Sequence, residues 1–157
     1  EGLRFFAVAA EHNLLVSLAL PPKWQPALRQ LARHYPSVPL LCHHMGLVRV
    51  GEDENLRQIL ASAQMPNIYI KLSGQYYASR VGWDFPNADT QPIVRALYNA
   101  YGPARLLWGS DYPVVRSAMT YEQALEVFRT HCTFVSEADK TLILGENLNR
   151  LLAHAGR

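Results

Sequence analysis

The chain of 157 residues is long enough for one domain with a buried core, and its 49% hydrophobic and 18% charged residues are ordinary for a globular protein. A formal net charge of +2, without any block of like charges, argues against nucleic acid or a membrane surface as partner. No apolar run approaches the ~20 residues of a membrane span, and Cys42 and Cys132 form no Cys-x-x-Cys pair, so neither a disulfide framework nor a thiolate zinc site is expected.

The reducing cytoplasm is the simplest compartment for such a chain. Its first residue is Glu1, and helix-like sequence begins at once, so a piece of a longer protein is expected. Leu3, Phe6, Ala7 and Ala10 follow the spacing of an amphipathic helix. Asn13 punctuates, and residues 14–20 read as a buried strand stopped by Pro21 and Pro22. Leu28, Leu31, Ala32 and Tyr35 repeat the helical spacing, and residues 40–44 form a second strand running into Gly46. Leu56, Ile59, Leu60 and Ala63 mark the next helix, and residues 67–72 the third strand.

A longer loop over 73–90, rich in aromatic and small polar residues, precedes a helix carrying Val94, Leu97, Tyr98 and Tyr101. The fourth strand is Leu106-Leu107-Trp108, stopped at Gly109 with Asp111 just past its end and Pro113 closing the turn. Thr120 with Gln123 predicts a capping box before a helix, Ser136 with Asp139 a second capped helix, and Leu148, Leu151 and Leu152 a third, short one. Strands alternating with helices predict a parallel sheet with helices packed outside it.

Strand side chains alternate between faces. On the third strand Ile68, Ile70 and Leu72 form an aliphatic set for the helices, and Tyr69, Lys71 and Ser73 a polar set for the other side. The same division pairs Cys42 with His44 and Gly109 with Asp111, and leaves His43 on the helix side as a structural residue. A polar inner set favours a barrel over an open doubly wound sheet, whose strands are aliphatic on both faces. Ala19, His44, Ser73 and Asp111 are then expected at the C-terminal strand ends, where barrels carry their active sites.

His44 and Asp111 suit hydrolysis of a carbonyl or lactone, with or without a metal. The carboxylate deprotonates water, and the imidazole coordinates a metal or polarises the carbonyl. Lys71 reads equally as a buried ion pair or a substrate ligand. Tyr76, Tyr77, Arg80, Trp83 and Asp84 read as a substrate lid or as an ordinary packed loop.

Four stretches, CHHMG from Cys42, NIYIKLSG from Asn67, LLWGSDYPV from Leu106 and LGENLNRLL from Leu144, resemble the amidohydrolase-related family along nearly the whole chain. The family comprises TIM-barrel hydrolases, lactonases among them, and a few decarboxylases. The resemblance implies that residues 1–157 are the C-terminal part of one TIM (β/α)8 barrel domain, about four βα units with terminal helices. It places His44 at the end of the sixth strand as metal ligand or carbonyl-polarising group. Asp111 falls at the end of the eighth as the acid acting on water and a second candidate ligand. Lys71 and Ser73 fall on the Lys-x-Ser of the seventh.

The chain lacks the family's first-strand His-x-His, and Ala19 stands where metal-dependent relatives carry a histidine, so a binuclear site is not expected. One divalent ion (zinc or manganese) and metal-free hydrolysis both stay open. Many relatives carry Asp where this chain has His43. The expected activity is hydrolysis of a small lactone or related carboxylated metabolite, with Lys71, Ser73, Tyr76, Tyr77 and Arg80 binding a small-molecule substrate. Homo-oligomerisation is compatible with this reading. The alternatives are metal-dependent decarboxylation on the same barrel, and a catalytically silent half-barrel that serves as a pairing module through its open sheet edges.

Overall fold

The computed structural model describes residues 2–155, with side chains from residue 4 onward, so the Leu3 side chain lies outside the described residues. Four parallel strands, β1 (Val16–Leu18), β2 (Leu40–Cys42), β3 (Ile68–Leu72) and β4 (Leu106–Trp108), pair in sequential order. Sequential order matters, because a doubly wound sheet reverses direction at a switch point whereas a barrel arc does not. The helices α1 (Gly2–Glu11), α2 (Gln25–His34), α3 (Asp53–Ala61) and α5 (Gln91–Tyr101) alternate with the strands, and a short α4 (Gln75–Ala78) lies in the loop after β3. The arrangement is half of a TIM barrel, as the family resemblance implies.

The core lies between strands and helices. Val16, Leu40, Ile68, Ile70, Leu72 and Leu106 are buried against Leu28, Ala32, Ile59, Val94 and Leu97. Helix α6 (Tyr121–Arg129) opens with the expected capping box, Thr120 accepting from the Gln123 backbone N–H while the Gln123 side chain accepts from the Thr120 N–H. Ser136 caps α7 (Glu137–Thr141) in the expected way. The short helix predicted around Leu148 is α8 (Asn147–His154), but a π-helical turn over Leu142–Glu146 joins it to α7 in one continuous run. No described helix is long and apolar enough to cross a membrane.

Two expectations need correction. The first strand covers only Val16–Leu18, and Leu14, expected in the buried strand, is 42% exposed. The register also reverses the assignment on β2. Leu18 pairs with Cys42 and Cys42 with Ile70, which puts Cys42 on the helix side. Leu41 pairs with Ser17 and Tyr69, and Lys71 with Leu107, so the inner set is Ser17, Leu41, Tyr69, Lys71 and Leu107. By strict alternation His43 therefore belongs inside and His44 outside. Alternation stops where the strand stops, at Cys42, and the backbone beyond that point decides where His44 goes.

Candidate active site

After β2 and the extended His43 the backbone enters the left-handed region, with φ of 51° at His44, 53° at Met45, 71° at Gly46 and 59° at Leu47. Three of these residues are not glycine, and such conformations cost free energy that the surrounding packing must offset. Fully buried Met45 supplies part of that packing. The reversal turns His44 back over the strand end and into the mouth, so His44 arrives where the sequence predicts it, by a different route.

Asp111 is delivered in a similar way. Strand β4 ends at Trp108, and Asp111 has φ of 59°. Its Oδ1 lies 3.7 Å from His44 Nε2, with 15% and 16% of the two side chains exposed. The other ring nitrogen, Nδ1, is 3.0 Å from the Ser73 hydroxyl at the end of β3. An Nε2–H facing the carboxylate is the electrostatically favoured tautomer, which makes Ser73 the donor to Nδ1. Burial lowers the His44 pKa, an effect that Asp111 opposes and Lys71 reinforces.

The second oxygen of the carboxylate is also held. The Tyr76 hydroxyl donates to Asp111 Oδ2 at 2.5 Å. Tyr76 is only 8% exposed and packs with Val115, Met119, Ala124 and Val127. Burial first, and the bond to Asp111 second, push its hydroxyl pKa up, so it remains a donor. Of the two readings of Tyr76, lid or packed loop, the packed one holds, and its hydroxyl supports the carboxylate. Tyr77 packs edge-on against His44 at 5.6 Å. Gly74 makes that packing feasible: its φ is 69°, and a Cβ there would stand 2.8 Å from Tyr77 Cδ2 and 3.0 Å from His44 Nδ1.

Lys71 reaches the same mouth from the inner face. It runs beside Gly109, where a Cβ would stand 3.1 Å from Lys71 Cε. Burial lowers the Lys71 pKa and Asp111 partly restores it. His43, expected to be structural, shares a hydrogen bond with Ser17 across β1 and β2. Burial first, then Lys71 and His44, push its pKa down to about 4, against a smaller opposing effect of Asp111. His43 thus lies beside His44 as a neutral imidazole, and only the strand register reveals which face it takes.

Arg80 does not join this group. Its backbone N–H donates to Asp89 at 2.9 Å, and its guanidinium lies beside Gly51. Trp83 is 77% exposed. The structure therefore brings together His44, Asp111, Ser73, Lys71, Tyr76 and Tyr77, and leaves Arg80 outside.

The amidohydrolase family profile matches residues 2–153. The chain belongs to the amidohydrolase family. This amidohydrolase chain is 32% identical over 113 residues to L-fucono-1,5-lactonase of Burkholderia ambifaria, which covers 68% of the chain and 37% of the lactonase. The crystal structure of a probable 2-pyrone-4,6-dicarboxylic acid hydrolase from Acinetobacter baumannii, with citric acid bound, superposes with a TM-score of 0.79 at 26% identity. That match covers 96% of this chain and 57% of the other. An amidohydrolase from Burkholderia multivorans with bound zinc gives a TM-score of 0.80 at 21% identity over 96% of this chain and 56% of its own, a likeness of fold. This amidohydrolase chain thus spans little more than half of these structures and less of the lactonase.

The zinc of that last structure prompts a test of the donors in this one. His44 Nε2 and the Asp111 carboxylate could each ligate a metal, but Asp111 Oδ2 is engaged by Tyr76 and His44 Nδ1 by Ser73. Among the described residues no group of three or more His, Cys, Asp or Glu side chains could hold a metal ion. Two donors fall short of the three protein ligands of a catalytic zinc. The described residues do not form such a site by themselves.

Proposed function

We propose that the complete protein hydrolyses a small lactone or related carboxylated metabolite, with Asp111 as the base. The observation that carries this reading is the facing of Asp111 Oδ1 and His44 Nε2 at 3.7 Å, each fixed from behind by Tyr76 and Ser73. That spacing is too long for a direct hydrogen bond, and it suits an oxygen within about 3 Å of both groups.

A water bound to Asp111 gives up a proton to the carboxylate as its oxygen bonds to the lactone carbonyl carbon. The carbonyl π pair moves onto oxygen, where the His44 N–H stabilises it. Collapse re-forms the carbonyl and breaks the ring C–O bond, and the departing alkoxide takes the proton back from Asp111. Lactone and water become the hydroxy acid, and Asp111 is regenerated. Lys71, at the same mouth, is suited to a negatively charged substrate group or to the developing oxyanion. Tyr76 keeps Oδ2 occupied, so that Oδ1 is the basic oxygen.

The experiment is turnover of a lactone by the complete protein and its Asp111→Asn variant. The account expects a loss of about a thousandfold or more in kcat, because a general base and the charge it carries are both removed. Near-normal turnover in the variant would remove Asp111 from the chemistry. Release of carbon dioxide in place of a ring-opened hydroxy acid would move the protein to decarboxylation.

A further inference from the structure

The left-handed turn that aims His44 also builds a second feature. A cleft of about 370 Å³ opens beside the imidazole, between the loops that come after β1, β2 and β3. Its volume is that of a single small-molecule site. The walls are apolar where Pro21, Pro22, Leu47 and Val48 meet, and Tyr77 contributes an aromatic edge. Asp111 does not line it. Arg49 is the one permanently charged residue that does.

Arg49 is anchored by its backbone and free at its tip. Its N–H donates to Glu52 Oε2 at 3.0 Å, and the next N–H, of Val50, donates to the Ala78 carbonyl at 2.8 Å. The second bond ties the loop after β2 to the loop after β3. Glu52 Oε2 also accepts from Asn55 at 3.1 Å, so this carboxylate is engaged with the backbone and an amide. Among the described residues the Arg49 guanidinium has neither an ion pair nor a hydrogen bond. An exposed arginine with a fixed root and an unengaged planar fork, lining a largely apolar cleft, is suited to a carboxylate, which such a fork grips with two parallel bonds.

Resting on the proposed hydrolysis at Asp111 and His44, we infer that Arg49 binds a carboxylate carried by the substrate and selects an anionic lactone with a weakly hydroxylated body over a neutral polyhydroxylated one. The walls give the second half of the argument. A sugar lactone would bring several hydroxyls against proline, leucine and valine, where they lose water and find no partner. A flat ring bearing a carboxylate has fewer hydroxyls to desolvate there, and its carboxylate gains the guanidinium.

The test uses the complete protein, its Arg49→Gln variant and its Arg49→Lys variant, with 2-pyrone-4,6-dicarboxylate as the anionic probe and L-fucono-1,5-lactone as the neutral one. For the dicarboxylate, Arg49→Gln is expected to raise KM about tenfold, the effect of losing a charge-assisted contact at a partly solvated site. Its kcat should stay within about twofold, and Arg49→Lys should recover part of the loss. An unchanged KM for the dicarboxylate, or an equal rise for the neutral lactone, overturns the assignment. Should the wild type open neither ring, the hydrolase reading fails separately, and calorimetric binding of the dicarboxylate decides on Arg49. Affinity about tenfold weaker in Arg49→Gln supports it, and equal affinity overturns it.

Discussion

The two ends of the sheet hold polar side chains for opposite reasons. At the N-terminal end, Asn67 is buried and its amide donates to the carbonyls of Ala32, Tyr35 and Val38 at 3.0 to 3.2 Å. Asn147 does the same for Pro103 and Leu106, and Arg105 for Ala63 and Met65. These side chains satisfy backbone carbonyls at helix ends, in turns and at the start of β4. At the C-terminal end, His44, Asp111, Ser73 and Tyr76 are bonded chiefly to one another, on backbone that is left-handed at His44 and Asp111. Polar groups that close on the backbone hold the fold, whereas polar groups that close on one another and stay partly open to solvent are available for chemistry.

Replacing a residue at one end should leave the property of the other end intact, and this can be broken experimentally. The largest effect on stability is expected from Asn67→Ala, which removes the partner of three carbonyls and should cost about 2–3 kcal/mol. Denaturant melts would read that loss, while kcat per folded molecule should not change. A fall in kcat without a loss of stability would erase the distinction between the ends.

A smaller and opposite pattern is expected from Tyr76→Phe. The ring stays in its cluster with Val115 and Met119, and the hydroxyl's bond to Asp111 Oδ2 is lost, together with its weaker contact to Tyr77. One hydrogen bond to a charged group corresponds to about a tenfold loss in kcat, with KM and melting temperature nearly unchanged. A loss shared with stability would make Tyr76 a packing residue.

Much of this is legible in the chain. The alternation of 3.6-residue and two-residue periods is enough for the parallel sheet, the family resemblance adds the half-barrel, and an Asp just past a strand end marks Asp111 as a candidate. The side-chain faces are only partly legible, because alternation is a property of strands and β2 ends at Cys42. Only Gly46 hints at the left-handed turn beyond, and His44, Met45 and Leu47 adopt it against their own preference. His43 is misplaced by sequence reasoning for the same reason, since its partner Ser17 lies one strand away and is known only from the register. For Tyr76 the choice between lid and packed loop stays open in the sequence, because the residues that bury it come after β4, some forty positions or more further along the chain.

The smallest expected effect concerns His43. Its pKa in the folded chain, about 4, lies below the ordinary 6.5. Between those values the unfolded chain binds more protons than the folded one, so stability is fully present above about pH 6.5 and is lost as pH falls toward 4. Urea midpoints should therefore fall further between about pH 7 and about pH 5 in the wild type than in His43→Gln. An equal fall in both would show that His43 does not feel this environment.

The central claim is that Asp111 and His44 act as one unit on one water and one carbonyl. A double-mutant cycle on kcat in the complete protein, with Asp111→Asn, His44→Gln and the pair together, tests it most directly. The account predicts strong non-additivity, with the double variant little slower than Asp111→Asn alone. Losses that multiply, each replacement acting as though the other had not been made, would contradict it.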